Sequence, residues 1–479
     1  MNDSVPLHDR LPGDFRFGAA TAAYQIEGAA SEDGRKPSIW DAFSHTPGRT
    51  ANGDTGDVAC DHYHRLDGDL DIARDLGLDA YRFSIAWPRV VPDGRGQLNG
   101  RGLDFYDRLV DGCLARGLAP YPTLYHWDLP LALPGGWTNR DTAHAFAEYA
   151  ATVARRIGDR AQAMSTFNEP WCSALMGYLY GIFAPGERNL DRALAAVHHQ
   201  HLAHGLAVQA VRAEHAALPL GIVLNLQSVL PASDDGSDRD AVERHRAFHN
   251  GLFTGPLFEG GYPARVVDAL GERMPSGFED DLPTIRQPLD WWGLNWYTPS
   301  RVTDDPAPSS RADDVAPDTE VQASAASVPD GGHAPFPGTS PVVPKEVPLT
   351  DIGWEIAPGT MTGLLRELYA ELTLPPCWIT ENGACFNTGP DKDGHVADEE
   401  RRRYLERHLG AVADAIDDGC DIRGYFAWSL MDNFEWAEGY RMRFGIVHVD
   451  YETQERTVKQ SGKWYAELID AHRERRRYA

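Results

Sequence analysis

Short apolar or aromatic runs recur along the chain, separated by longer stretches whose apolar positions follow helical spacing. Eight of the runs read as strands: Phe15–Ala22, Ala80–Ile85, Ala119–Leu124, Ala163–Phe167, Leu220–Leu226, Trp291–Trp296, Cys377–Thr380 and Arg423–Trp428. Between them, Asp67–Asp75, Leu103–Arg116, Ala143–Ile157, Asp191–Glu214 and Glu399–Asp417 carry helix-like patterns. Strand alternating with helix is the signature of an α/β protein with a parallel sheet. Eight units predict a closed (β/α)8 barrel, one domain over residues 1–479 with long βα loops. A doubly wound open sheet gives a similar pattern, and strand counting alone leaves that choice open.

One segment breaks the rhythm. Residues 301–348 hold nine of the 33 prolines, many Ser, Ala and Asp, and almost no apolar periodicity. They read as a long insertion loop between the sixth and seventh strands, with a composition that suits disorder. In a barrel such a loop lies on the catalytic face, so it either borders the substrate entrance or is an idle insertion.

Composition narrows the classes. Of 479 residues, 42% are hydrophobic and 24% charged, enough apolar material for a large core. Net charge is −26, which opposes binding to a nucleic-acid backbone. The one basic run, His472 to Arg477, reads as a solvated helix end suited to the C-terminal dipole. Six cysteines at 60, 113, 172, 377, 385 and 420 form no CxxC pair and suggest no disulfide framework. The N-terminus has no secretory pattern and no stretch approaches a membrane span, so a soluble cytoplasmic protein is expected, with a homo-oligomer left open. His198, His199, His201 and His204 share helical spacing but lack a patterned Cys or carboxylate partner, so packing is preferred to metal binding.

Chemistry gathers at the ends of the strands. In chain order these carry Gln25, Arg82, His126-Trp127, Asn168-Glu169, Asn225, Asn295 with Tyr297, Glu381-Asn382, and Trp428. A barrel assembles its active site from such strand ends. Glu169 and Glu381 each have a side-chain amide beside them. Two carboxyls facing one cavity can divide labour, one protonated and one ionised, as glycoside cleavage requires. Trp127, Trp171, Trp354, Trp428 and Trp436 offer platforms for the C–H faces of sugars, although each could be core. Asp432-Asn433-Phe434-Glu435-Trp436 adds carboxylates and an indole N–H just beyond the last strand.

At these residues the sequence resembles glycoside hydrolase family 1 over nearly its whole length. Thr166-Phe167-Asn168-Glu169-Pro170 is similar to the family's acid/base motif, and Ile379-Thr380-Glu381-Asn382-Gly383 to its nucleophile motif. Phe15 to Thr21 with Gln25 to Gly28 is similar to its first strand, and Tyr81 to Trp87 to its second. The resemblance implies a (β/α)8 barrel, retention at the anomeric carbon, and neither metal nor organic cofactor. It implies that Gln25, His126, Asn168, Glu435 and Trp436 hold the glycone hydroxyls, with Trp428 as floor and Trp127 beside them. Arg82 and Tyr297 would flank Glu381, Asn295 would support the acid/base region, and Trp354 and Phe444 would complete the substrate-binding wall.

The implied substrates are small β-glycosides or short β-linked oligosaccharides. Members acting on 6-phosphorylated sugars carry Ser, Lys and Tyr where this chain has Glu435, Met442 and Phe444. A phosphate facing Glu435 without that Lys would be repelled, which rejects that branch. Thioglucosidase members lack the acid/base Glu, so Glu169 argues against them. Among plain glycosidases glucose is the first choice, galactose and fucose next. A transglycosylase and a catalytically silent carbohydrate-binding protein stay open as alternatives.

Overall fold

A computed structural model describes residues 5–305, 338–342, 344 and 346–478. Most of the 301–348 insertion, residues 306–337, lies outside the described residues. Eight parallel strands close into a barrel: β1 Arg16–Ala20, β2 Ala80–Ser84, β3 Ala119–Tyr125, β4 Met164–Asn168, β5 Leu220–Asn225, β6 Trp292–Asn295, β7 Cys377–Asn382 and β8 Ile422–Trp428. Each strand pairs with its sequence neighbour and β1 pairs with β8, which settles the open choice in favour of the (β/α)8 barrel. All eight predicted strands form, with ends displaced by no more than two residues. Their near-continuous apolar composition is what a sheet buried on both faces needs.

Register then decides which strand ends meet. Ala20 of β1 lies beside Trp428 and Arg82, and Asn295 of β6 lies between Asn225 of β5 and Glu381 of β7. Polar residues distant in sequence are thereby set around one end of the barrel.

Aromatic rings fill the barrel interior on the other side of these residues. Tyr121, Trp378 and Phe426, from β3, β7 and β8, sit with ring centroids 5.2–5.9 Å apart. Two glycines make room for them. A Cβ on Gly18 would stand 2.5 Å from the Phe426 ring, and one on Gly424 would stand 2.2 Å from the Trp378 ring.

Helices cover the outside, as the 3.6-residue spacing predicts. Gly100–Ala115 buries Phe105, Tyr106, Leu109, Val110 and Cys113 on one stripe. Leu190–Glu214 begins where the Asn189 side chain accepts from the Arg192 N–H at 3.0 Å, an N-cap satisfying an orphan donor. Residues 236–285 form a run of short helical pieces rather than one helix. Among the described residues no helix is long and apolar enough to cross a membrane.

Two features depart from the sequence reading. The described ends of the insertion are not plain loop: Ser300–Asp304 pairs with Thr339–Pro341 and with Val229–Pro231 in a small separate sheet. The basic C-terminal run is not simply solvated. Arg473 pairs with Asp79 at 2.7 Å, and Arg475 donates to the carbonyls of Asp9 and Leu11, tying helix Gln460–Tyr478 to the N-terminal segment.

Candidate active site

The two glutamates meet at the polar end of the barrel, each held by a different kind of partner. Glu381, the penultimate residue of β7, accepts from Arg82 Nη1 at 2.6 Å on Oε1 and from the Tyr297 hydroxyl at 2.7 Å on Oε2. Arg82 is 2% exposed, and its other amino group donates to Asn168 Oδ1 at 2.6 Å, so its fork spans the ends of β7 and β4. Glu169, one residue past β4, accepts from Asn295 Nδ2 at 2.5 Å on Oε1. Its Oε2 accepts from the Cys172 thiol at 2.9 Å. The Thr380 hydroxyl donates to Asn295 Oδ1 at 2.7 Å, which turns the amide N–H₂ toward Glu169.

These surroundings separate the two proton affinities. Burial and the facing Glu381 carboxylate push Glu169 up to about 7, and the Cys172 and Asn295 contacts only partly oppose this. Burial pushes Glu381 up as well, but the Arg82 guanidinium and the Tyr297 hydroxyl pull it back. Glu169 is the carboxyl that keeps its proton, and Glu381 the one that ionises first.

Three residues of the site have strained backbone. Trp127, Glu169 and Trp436 have φ of 77°, 45° and 50°, the left-handed region that non-glycine residues rarely adopt. Each costs on the order of 1–3 kcal/mol and persists because the packed barrel overdetermines it.

Around the carboxyls lies a cavity of about 300 Å³, within the range of small-molecule sites. Three aromatic groups line it. His126 stacks at 5.9 Å between Trp428 and Trp436, with Trp127 packed against Trp436 at 4.5 Å. Tyr297, Trp354 and Phe444 form a second group, with centroids 5.1–6.2 Å apart. Trp171 packs on His249 at 4.5 Å, and His249 on His245 at 5.8 Å, as the third.

The sequence-predicted residues divide between lining and support. His126, Trp127, Glu169, Asn295, Tyr297, Trp354, Glu381, Trp428, Glu435, Trp436 and Phe444 all line the cavity. Gln25, Arg82 and Asn168 are buried just behind it. Gln25 Nε2 donates to Asn433 Oδ1 and to the Phe434 carbonyl, fixing the loop that carries Glu435. Asn168 Oδ1 accepts from Arg82 and Asn295, and its Nδ2 meets His126 Nε2 at 3.1 Å, one of its two N–H donors. Among the described residues, Gln25 Oε1 and His126 Nδ1 are buried without a hydrogen-bond partner.

Asp432 faces away from the cavity. Lys459 and Arg443 pair with it at 2.7 and 2.8 Å, and the Gly445 N–H donates to it. All of this lies under the loop from Trp428 to Phe444. Glu435 is partly buried, and burial together with Glu381, Glu438 and Glu169 pushes its carboxyl well above the ordinary range. Met442 packs against Cys385.

Sequence reasoning missed Cys172, His245, His249 and the half-buried ion pair Arg301–Glu355, all of which line the cavity. Glu169-x-x-Cys172 at one-turn spacing was a usable signal for the first. The others lie on segments without a strand-end signature. Trp171 Nε1, Gln227 Oε1, His245 Nε2 and Trp354 Nε1, on residues that line the cavity, are buried without a partner among the described residues.

The histidine run has other duties. His198 and His201 both meet the Tyr262 hydroxyl at 3.0 Å, His198 also meets Asp281 at 2.9 Å, and His204 bonds Thr166 at 2.7 Å. Among the described residues no group of three or more His, Cys, Asp or Glu is arranged to hold a metal ion.

The profile of glycosyl hydrolase family 1 matches residues 7–474. A β-glucosidase of an Agrobacterium species is 55% identical over 470 residues, covering 98% of this chain and 97% of that one. A bifunctional β-D-glucosidase/β-D-fucosidase of Bifidobacterium breve is 47% identical, covering 96% of this chain and 98% of the other. The solved structure of virulence factor SghA from Agrobacterium tumefaciens superposes with a TM-score of 0.90 at 55% identity, covering 97% of this chain and 98% of its own. SghA has also been solved with its substrate analogue salicin.

Proposed function

The chain belongs to glycosyl hydrolase family 1, and on that footing we propose a retaining β-glucosidase acting by double displacement, with Glu381 as nucleophile and Glu169 as acid/base. The observation that carries the assignment is the unequal setting of the two carboxyls. Glu381, flanked by Arg82 and Tyr297, is kept ionised to attack the anomeric carbon. Glu169, raised to about 7, holds a proton for the leaving oxygen. When the glycosyl-enzyme forms, the charge of Glu381 is lost to the ester. The Glu169 proton affinity falls, and the same carboxylate then serves as base toward water.

In this reading Trp428 and His126 form the floor and wall of the glycone site, and Gln25, Asn168, Glu435 and Trp436 take or position its hydroxyls. The unpartnered Gln25 Oε1 and His126 Nδ1 supply an acceptor and a ring nitrogen for them. Glucose is the preferred glycone, supported by the β-glucosidase relatives, with fucose tolerated as in the bifunctional relative. The wall of Trp171, Trp354, His245 and Gln227 combines flat rings with polar points, which suits an aryl group or a second sugar, as in a salicin-like glucoside or cellobiose. Six unpaired buried thiols fit a reducing compartment, so a cytoplasmic site of action is part of the proposal.

The test is the anomer first formed from an aryl β-glucoside, followed by ¹H NMR. Retention gives the β-anomer before mutarotation. The α-anomer appearing first would show a single displacement and remove the nucleophile role from Glu381. Hydrolysis of a panel of aryl β-glucoside, galactoside, fucoside and 6-phosphoglucoside substrates fixes the glycone order, with the phosphorylated sugar expected last.

A further inference from the structure

Both oxygens of Glu169 are held, but by donors of very different strength. Oε1 accepts from the Asn295 amide at 2.5 Å and Oε2 from the Cys172 thiol at 2.9 Å, close for a sulfur donor but intrinsically the weaker of the two. Cys172 is 6% exposed and opens the π-helical segment Cys172–Leu179, three residues after Glu169 and so on the same face of the first turn. From β5, Asn225 Nδ2 reaches Cys172 Sγ at 3.5 Å, which leaves the S–H free to point at the carboxylate. We propose that Cys172 is a positioning residue of this centre: its thiol fixes the second oxygen of Glu169 and, as a weak donor, does so without draining the proton affinity that the acid step needs. The proposal rests on the acid/base reading of Glu169 given above.

The chemistry of sulfur gives this geometry its meaning. A hydrogen bond donated to a carboxylate favours the ionised form. A hydroxyl at this place would donate strongly and pull Glu169 down toward the ordinary carboxylate range. An apolar side chain would donate nothing, leaving the carboxyl higher and free to rotate about its contact with Asn295. A thiol lies between the two. It also stays a thiol, because burial and the adjacent Glu169 and Glu381 charges push its own ionisation well up. Cys172 is thus a donor here and not a nucleophile.

The experiment is the pH dependence of the wild-type enzyme and of Cys172→Ser, Cys172→Val and Cys172→Ala on an aryl β-glucoside. Thermal melts confirm that each variant is folded, and the alanine variant controls for the bulk of valine. Glu381, Arg82, Tyr297, Glu435 and Asn295 face the Glu169 carboxyl from β7, β2, the β6 loop, the β8 loop and β6, and all are the same in every variant. The alkaline limb of kcat/KM is expected to move up by about 0.5–1 pH unit in the Val and Ala variants, the equivalent of one weak hydrogen bond. In the Ser variant it should move down. With a good leaving group, kcat should fall roughly 3–10-fold in Val and Ala while KM falls with it, because the base step slows and the glycosyl-enzyme accumulates. A merely structural role would leave the limb where it is.

Coincident alkaline limbs in all four proteins overturn the proposal. Glu169→Ala with added azide separates this failure from failure of the underlying reading. Azide rescue with a lost alkaline limb keeps Glu169 as acid/base, so that coincident limbs then count against Cys172 alone. No rescue and a surviving limb remove the acid/base assignment, and the proposal for Cys172 with it.

Discussion

The two ends of the barrel use the same eight strands for opposite purposes. Toward one end Tyr121, Trp378 and Phe426 meet ring to ring over Gly18 and Gly424, with little polar chemistry and close packing. Toward the other, the register sets Arg82, Asn168, Asn295 and Glu381 side by side, desolvates two carboxylates and holds three residues at positive φ. The first end supplies stability. The second consumes it, because buried charge and strained backbone are tolerated only where a rigid scaffold enforces them.

Each prediction tests that division, beginning with the largest effect. Glu381→Gly should lower turnover of aryl β-glucosides by roughly 10⁴-fold or more, as expected when a covalent nucleophile is lost. Its melting temperature should stay at or above that of the parent. A large loss of stability together with activity would mean that the polar end also carries the fold.

At the opposite end, Phe426→Ala should cost about 3–5 kcal/mol of stability, the range for emptying a buried ring, read as a lower denaturation midpoint. The kcat/KM of the folded fraction should stay within about twofold if the division holds. A strong loss of activity in protein still fully folded would show the two ends to be coupled.

Glu169→Gln sharpens the contrast through pH. The folded-state proton affinity of Glu169 is raised to about 7, above that of an unfolded carboxyl. The stabilisation tied to its bound proton is full below about pH 4 and is lost as pH rises through 7. Removing the charge should therefore stabilise the variant relative to the parent at pH 7, on the order of 2–3 kcal/mol, and change little near pH 4. The measurement is Tm against pH for both proteins, and parallel curves would sink the idea.

The smallest effect belongs to the cavity wall. Trp354 is only partly buried and packs on Tyr297 and Phe444. Trp354→Ala should raise KM for aryl glucosides by about 3–10-fold, the scale of lost aromatic contacts, with kcat nearly unchanged. A change in kcat alone would place Trp354 with the reacting groups instead.

Much of this was legible before folding, for identifiable reasons. Strands buried on both faces must be apolar, and helices between them must be amphipathic, so the element order and even the bounds of Glu399–Asp417 follow from the pattern. Motifs that join a strand to a reactive residue, such as Thr166 to Pro170 and Ile379 to Gly383, are local in sequence and can be read directly. Asp432 shows where that reading stops. It shares a motif with Glu435, yet only the fold reveals that it serves Lys459 and Arg443 beneath the loop while Glu435 faces the cavity.

The sequence by itself determined the order of strands and helices, the two glutamates and the kinds of residue around them, because periodicity and strand-end chemistry are properties of short stretches. Closure of the sheet into a barrel was seen only in the strand pairing. Only the tertiary structure decided which carboxyl keeps its proton, because that depends on distances between residues far apart in the chain. Arg82 lies 299 residues from the Glu381 it contacts, and Asn295 lies 126 from Glu169. Electrostatic energy depends on separation in space and on exclusion of water, and neither is encoded in any single segment.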